Sequence, residues 1–326
     1  MQTLEVLKRK IGNAKDVQSV VSAMKVLAIV SIRQFEKSLA SLNDYQRALE
    51  LGLQATLKNY GGDEDESAYD PFAYLPPVQT HDGQSAVDSH EPPIENRAAA
   101  HTCAVVFGSE QGLSGQFNER IATYTLEQLR SMGIAREDRT LLALGDHVAY
   151  RLQAAREPVQ KKFPMEGSVK AMRQTVQSLF LHFGEMQRRG ECSQILLFHH
   201  KSLSGAHNIL HTGRLFPLDM PALRQLRDRE WPSRSLPTFT LDRNRLLGAL
   251  IHQYIRASLE QAFVESLVSE NSSRLVAMQV AESNIADFLD DLRHEFNEQR
   301  QSEITSEILD IVAGLEAMEK TGMAQL

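Results

Sequence analysis

Apolar residues recur at helical spacing along both ends of the chain, and between those ends the pattern changes to short apolar runs rich in β-branched residues. Near the N-terminus the apolar positions are Leu4, Leu7, Ile11, Ala14, Val17, Val21, Met24, Leu27, Phe35, Leu39, Leu42, Tyr45, Leu49 and Leu53, and residues 13 to 51 hold no Gly or Pro. Steps of three and four place a stripe on one face of a helix and, when sustained, make the seam of a coiled coil. At the other end, residues 249 to 313 run for sixty-five positions without Gly or Pro, and Leu275, Met278, Ile285, Leu289, Leu292 and Phe296 carry the stripe. A helix of that length reaches roughly 100 Å at about 1.5 Å per residue, more than one small core can cover. It needs a partner along its length, and the N-terminal helix supplies one. Arg274, Asp287, Asp290, Asp291 and Arg293 fall largely off the stripe, as the polar outside of a coil does. Ile304, Ile308, Ile311, Val312 and Leu315 continue the apolar positions past the reach of the N-terminal helix. Exposed apolar surface of that kind implies a sleeve or socket on a partner.

The middle of the chain alternates. Strands are predicted at Cys103–Phe107, Thr140–Leu144 and Gln194–Phe198, with an edge strand at Ile209–Phe216. Helices are predicted at Asn118–Met132, with Asn118 as N-cap, at Asp146–Ala155 and at Ser168–Arg188. Such alternation argues for a small parallel or mixed α/β sheet. Pro217, Pro221, Pro232 and Pro237 then break the chain before the last helix begins near Leu241. The domain reading is therefore 1–60 for the first long helix, 61–100 for an insertion, 101–236 for the α/β domain and 237–326 for the second long helix.

Charge sharpens this division. The net charge of -7 conceals nine Lys and Arg against five acids in residues 1 to 58, and nine acids against Arg97 alone in residues 61 to 100. The acidic stretch also contains five prolines, which makes it a solvated insertion with too little apolar surface to fold on. The basic residues of the first helix alternate with acids and with the stripe, so they read as a solvated coil face and not as a nucleic-acid site. Aromatic content is 6% with Trp231 alone for tryptophan, which suits paired helices better than one large core. Cys103 and Cys192, isolated from each other in sequence, make no disulfide framework and point to a reducing compartment. No run of eighteen apolar residues offers direct membrane insertion, and no apolar signal core opens the chain.

No enzyme motif is complete in the chain. The turn Gly108-Ser-Glu-Gln-Gly112-Leu-Ser-Gly115 lies where a phosphate loop would, but it matches neither G-x-x-x-x-G-K-[ST] nor G-x-G-x-x-G. It reads as a tight turn. His207 and His211 are four apart with His199 and His200 nearby, yet Asn208 stands where a metalloprotease Glu would, and neither Cys has ligand spacing. Surface or strand histidines are expected. Ser114 and Ser204 make no G-x-S-x-G. No catalytic residue, cofactor or metal is assigned.

Three blocks of the chain resemble the gamma subunits of F-type rotary ATP synthases. Leu7-Lys-Arg-Lys-Ile11 with Val21-Ser-Ala-Met24-Lys25 is similar to that family's "KRRI … KAMKMVA". Ser109-Glu-Gln-Gly-Leu-Ser-Gly115 with Asn118 resembles "SDRGLCGGLN", with Glu110, Gln111 and Ser114 in place of Asp, Arg and Cys, and Gln116 and Phe117 in place of Gly and Leu. Ser269 to Met278 and Arg300 to Gly314 resemble "SEQAARMVAM" and "ARQASITQELTEIVSG". The opening 35 residues look closer to the divergent N-type ATPases, some of which move sodium; the coupled ion, proton or sodium, is chosen elsewhere, in the membrane ring.

The resemblance implies an α/β fold in which a long antiparallel coiled coil of the N- and C-terminal helices carries an inserted Rossmann-like α/β domain. It implies a non-catalytic central rotor shaft whose partners are the ring of three alpha and three beta subunits, the epsilon subunit and the membrane c-ring. The location implied is the cytoplasmic face of the bacterial inner membrane, as a peripheral protein. The matching positions imply partner contacts at Met24 and Lys25, at Arg274 and Met278, and at Arg300, Gln301 and Thr305, with Ile308 and Ile311 in the apolar end that turns in its bearing. The alternative of another class is a coiled-coil scaffold or adaptor with an embedded α/β domain.

Overall fold

The computed structural model describes residues 3–58, 101–202, 208–235 and 237–323. The acidic insertion at 61–99, the fading of the first helix near Gly61, Ser204 and His207 lie outside the described residues. Helix α1 spans Leu4–Lys58 and is followed in order by β1 (Thr102–Phe107), α2 (Phe117–Ser131), β2 (Arg139–Leu144), α3 (Asp146–Ala154) and β3 (Val159–Phe163). Then come α4 (Val169–Arg188), β4 (Gln194–Ser202), β5 (Asn208–Phe216), α5 (Met220–Asp228) and α6 (Arg243–Met323). The chain divides into two compact units, one of residues 1–29 with 274–326 and the other of residues 30–273.

The larger unit is built on a five-stranded sheet in the order β3-β2-β1-β4-β5. The first four strands are parallel and β5 pairs antiparallel at the edge, Phe198 against Thr212 and His200 against Leu210. This is the doubly wound arrangement with its order reversing between β1 and β4. All six residues of β1 are buried, as a strand covered on both faces must be. Its residues alternate between two cores. Cys103, Val105 and Phe107 join Leu179 and Phe183 of α4 and Phe263 and Leu267 of α6, whereas Ala104 and Val106 join Ile121 and Leu129 of α2 and Val148 and Leu152 of α3. Within this unit α1 and α6 run antiparallel, with Asn43 beside Gln261 and Gly52 against Leu250.

Several boundaries differ from the sequence reading for definite reasons. Asn118 is not the N-cap of α2; Gln116 holds that place, and the Asn118 side chain instead accepts from Ser109 N at 2.9 Å and donates to Ser109 Oγ at 2.7 Å. Strand β3 went unread because Gln160, Lys161 and Lys162 break its apolar pattern, as charged residues do on an edge strand. Pro221, taken as a break, sits in the first turn of α5, where a missing N–H costs nothing, and Asp219 caps it by accepting from Ala222 N. Ser168 caps α4 by accepting from Ala171 N at 3.1 Å. Cys103 and Cys192 are not isolated in space. The neighbouring Cys192 thiol, and then burial, push the Cys103 thiol well above its ordinary value, while Cys192 Sγ donates to Gln194 O at 3.2 Å.

Candidate partner interface

In the smaller unit the helices meet along a heptad seam. On α1 the inward positions are Leu4, Leu7, Ile11, Ala14, Gln18, Val21, Lys25 and Ala28, and the four residues seven apart, Leu7, Ala14, Val21 and Ala28, are the buried ones. On α6 they are Met278, Glu282, Ile285, Leu289, Leu292, Phe296 and Gln299, of which Met278, Leu289 and Leu292 are buried. Steps of three and four alternate without a slip, the repeat that keeps a seam facing its partner. Across it Lys25 Nζ lies 2.5 Å from Glu282 Oε2, and Ser22 Oγ donates to Glu282 Oε1 at 3.1 Å. The hydrogen bond from Lys25, then that from Ser22, lowers the Glu282 carboxyl below its ordinary value.

The seam corrects the sequence reading of α1. Val17 and Leu27 were placed in it, but they are 52% and 65% exposed, and Tyr45 in the larger unit is 44% exposed. The true seam runs through Gln18 and Lys25, polar residues that an apolar count passes over. Val17 and Leu27 belong with Val20 and the half-buried Met24 to a second stripe, at steps of three and four, that faces out. Val26 and Ile29 widen it on α1, while Val276, Val280 and Phe288 are exposed on α6. Beyond Phe296 no described side chain of α6 is buried through residue 313, and Ile304, Ile308, Leu309, Ile311 and Val312 are 45–63% exposed. Together these side chains leave a long run of apolar surface exposed on the described residues of the two helices.

Charge is divided between the two helices. Residues 3–29 carry five Lys and Arg against two acids, and residues 274–313 carry nine acids against three Arg. The helices therefore attract each other, and the far part of α6 presents an acidic surface between its apolar residues.

The positions implied to meet partners fall into two groups. Arg300, Gln301, Thr305, Ile308 and Ile311 are exposed, with Thr305 Oγ1 donating to Gln301 O in its own helix. Arg274 and Met278 are buried, Met24 is half-buried on the outward stripe, and Lys25 is engaged with Glu282. Of the outward stripe, Val17 and Leu27 are legible as apolar spacing but read onto the seam face, and Val20 is not picked out by the sequence reading at all.

In the larger unit the chain's own side chains pack around the place where a doubly wound sheet usually binds ligands. Doubly wound sheets bind ligands beyond the strand ends where the order reverses, here between β1 and β4. Helix α6 occupies one side of that point: Phe107 packs edge-on against Phe263, and His199 Nε2 lies 3.0 Å from Glu265 Oε2. On the other side His200 stacks on Phe117, with ring centroids 4.0 Å apart. Burial, with Arg120 and His199 adding to it, lowers His200 to about 3. The glycine turn is closed on itself. Asn118 takes the Ser109 N–H that a phosphate would need, and a Cβ on Gly145 would come within 2.5 Å of the Ser109 backbone. A cleft of about 230 Å³ exists between α1, α4 and α6, lined by Phe35, Leu42, Met172, Arg173 and Glu260 among others. Among the described residues no cluster of three His, Cys, Asp or Glu is disposed to hold a metal, and no helix is long and apolar enough to cross a membrane.

Fold and surface together define a class: a chain pairing a mixed-sheet α/β unit, its own helix α6 packed at the reversal of strand order, with a two-helix unit that exposes apolar side chains. The family model described as ATP synthase matches residues 3–318. The chain belongs to that family. Among its relatives, the ATP synthase gamma chain of Glaesserella parasuis is 21% identical over 314 residues, covering 96% of this chain and 98% of the relative. That of Bacteroides thetaiotaomicron is 26% identical over 322 residues, covering 96% and 99%. Among solved structures, a chain of the Euglena gracilis mitochondrial ATP synthase, described as OSCP/F1/c-ring in rotational state 3, aligns with a TM-score of 0.62 at 13% identity, covering 97% of this chain and 94% of that one. A chain of the rotor of the same enzyme in rotational state 1 aligns with a TM-score of 0.60 at 12% identity, covering 92% and 98%. At these identities the structural likeness speaks for the fold.

Proposed function

We propose that this chain is the central rotor shaft, the gamma subunit, of an F-type ATP synthase, and that it couples ion flow through a membrane ring to ATP synthesis or hydrolysis on beta subunits. The observation that carries the reading is the family match from end to end, joined to a two-helix unit whose second apolar stripe has no cover within its own unit. The shaft performs no chemistry itself. It presents a different surface to each surrounding catalytic subunit, and as it turns, each tenfold change in nucleotide affinity requires about 1.4 kcal/mol of differential contact. A few hydrogen bonds or apolar contacts made in only some orientations supply that.

The exposed apolar stripe at Val17, Val20, Met24 and Leu27 and the surface at Arg300, Gln301, Thr305, Ile308 and Ile311 face the alpha and beta ring in this reading. The buried Arg274 and Met278 support that contact from within the chain. The α/β unit serves the epsilon subunit and the c-ring, and the chain is held at the cytoplasmic face of the membrane through them. Purification of the complex from native membranes through a tag on this chain, followed by subunit identification, tests the proposal. Alpha, beta, epsilon and ring subunits are expected in fixed ratio; recovery of the chain without alpha and beta overturns it.

A further inference from the structure

We propose that Lys25 is a positioning residue that acts through Glu282, fixing the register of α1 against α6, and that it does not work by reaching a carboxylate on a surrounding subunit. The proposal rests on the shaft reading above for its consequence in the complex, and on this chain alone for its geometry.

Lys25 and Glu282 both occupy seam positions, flanked by Val21 and Ala28 on one helix and by Met278 and Ile285 on the other. Their charged atoms are in direct contact, and Ser22 takes the second carboxylate oxygen. The carboxylate thus has an ammonium on one oxygen and a hydroxyl on the other, both from α1. With side chains 28% and 32% exposed, the pair contributes little to overall stability, as partly solvated ion pairs do. Its effect is on alternatives. A shift of α6 by one heptad in either direction sets Lys25 opposite Leu275 or Leu289, and a shift of three or four residues sets it opposite Ile285 or Met278. Each of those registers strands an ammonium against an apolar side chain. A polar pair at a seam position selects register in this way in coiled coils generally. Apolar neighbours Ala14, Val21 and Ala28, being small, tolerate several registers, so the seam around Lys25 has need of such a selector.

Register decides which exposed side chains of the two helices stand at the same height, and an angle-reading partner depends on that. Loss of the pair is therefore expected to uncouple the motor before it unfolds the chain. Complexes carrying Lys25→Gln, Glu282→Gln and the reversed pair Lys25→Glu with Glu282→Lys are compared for ions pumped per ATP hydrolysed. Both single variants should lower the ratio and the reversed pair should restore it. The proposal is overturned if Glu282→Gln pumps at the parent ratio, or if the reversed pair is as defective as Lys25→Gln, since a partner carboxylate would then be what Lys25 serves. On the isolated full chain, amide exchange in residues 3–29 should rise roughly two- to fivefold in each single variant and fall back in the reversed pair. That second reading involves no partner, so a chain that shows the exchange pattern but never co-purifies with alpha and beta would sink the shaft reading and leave the register pin standing. Unchanged exchange in all variants overturns the pin.

Discussion

His199 Nε2 lies 3.0 Å from Glu265 Oε2, and both side chains are 6% exposed, so a strand of the sheet and the long helix α6 are joined by a buried hydrogen bond. Burial works to raise the Glu265 carboxyl, but the hydrogen bond and charge of His199, with Lys201 and Gln261 behind them, outweigh it and hold Glu265 below its ordinary value. Cutting a buried pair on one side strands the other member. Glu265→Ala is therefore expected to cost about 3 kcal/mol, and Glu265→Gln, which can still accept from His199, distinctly less. Urea unfolding of the full chain reads both, and equal midpoints for the two variants would show that the contact does not hold the helix to the sheet.

His200, on the opposite face of β4, gives the protein an acid-sensitive stability. Its imidazole is buried against Phe117 and titrates near 3, below the ordinary value of 6.5 it has in an unfolded chain. The unfolded state therefore binds the proton first as pH falls. The stability contributed by His200 is fully present above pH 6.5 and is lost between there and about pH 3, with a slope of up to about 1.4 kcal/mol per pH unit. His182, His211 and His252 are lowered by burial too and act in the same direction. The urea midpoint should fall between pH 7.5 and pH 5.5, and the fall should be smaller in His200→Phe, which keeps the stack without a titrating ring.

These two histidines show what the sequence could and could not disclose. The sequence reading ends the strand at Phe198 and leaves both as surface or strand histidines; β4 runs on to Ser202, and alternation along it sends the two to opposite faces, both buried. Their partners were not legible, because Glu265 and Phe117 lie 66 and 83 residues from His199 and His200 and no local pattern links them. The two long helices, the buried strands β1, β2 and β4 and the turn at Gly108 were readable since each depends on periodicity, an apolar run or glycine punctuation. The seam failed at Val17 and Leu27 for a physical reason: α1 carries two apolar stripes, and the one that pairs is chosen by its fit to α6, including the charged Lys25, not by hydrophobicity. Edge strand β3 and helix α5 were lost to lysines and a proline that local geometry accommodates.

Leu113 sits at φ 62 with its side chain 61% exposed, in the turn between β1 and α2. A left-handed backbone costs a branched residue about 1 kcal/mol that glycine does not pay. Relative to Leu113→Ala, which keeps the strain and loses the side chain, Leu113→Gly should be more stable by about 1 kcal/mol. Thermal melts of the isolated chain decide this. If both variants also weaken recovery of partner subunits to a similar degree, the strained turn is there to present the leucine, which is how strain is commonly distributed at contact sites.

The two stripes of α1 and the seam of α6 predict opposite behaviour from substitutions of similar size. Leu289 is 2% exposed on the seam, and Leu289→Ala removes a buried side chain that the facing helix cannot collapse onto, which should destabilise the two-helix unit by about 3 kcal/mol. Val17, Val20 and Leu27 are more than half exposed, and changing all three to Ser should alter the stability of the isolated chain by no more than about 0.5 kcal/mol per site. Assembly reverses the ranking. If the outward stripe is what a surrounding ring grips, the triple Ser variant should be recovered with far less alpha and beta subunit than Leu289→Ala, once Leu289→Ala is tested at a temperature where it remains folded. A triple variant that assembles and pumps like the parent would remove the stripe from the interface and leave the exposed end of α6, at Ile304, Ile308 and Ile311, to carry the contact alone.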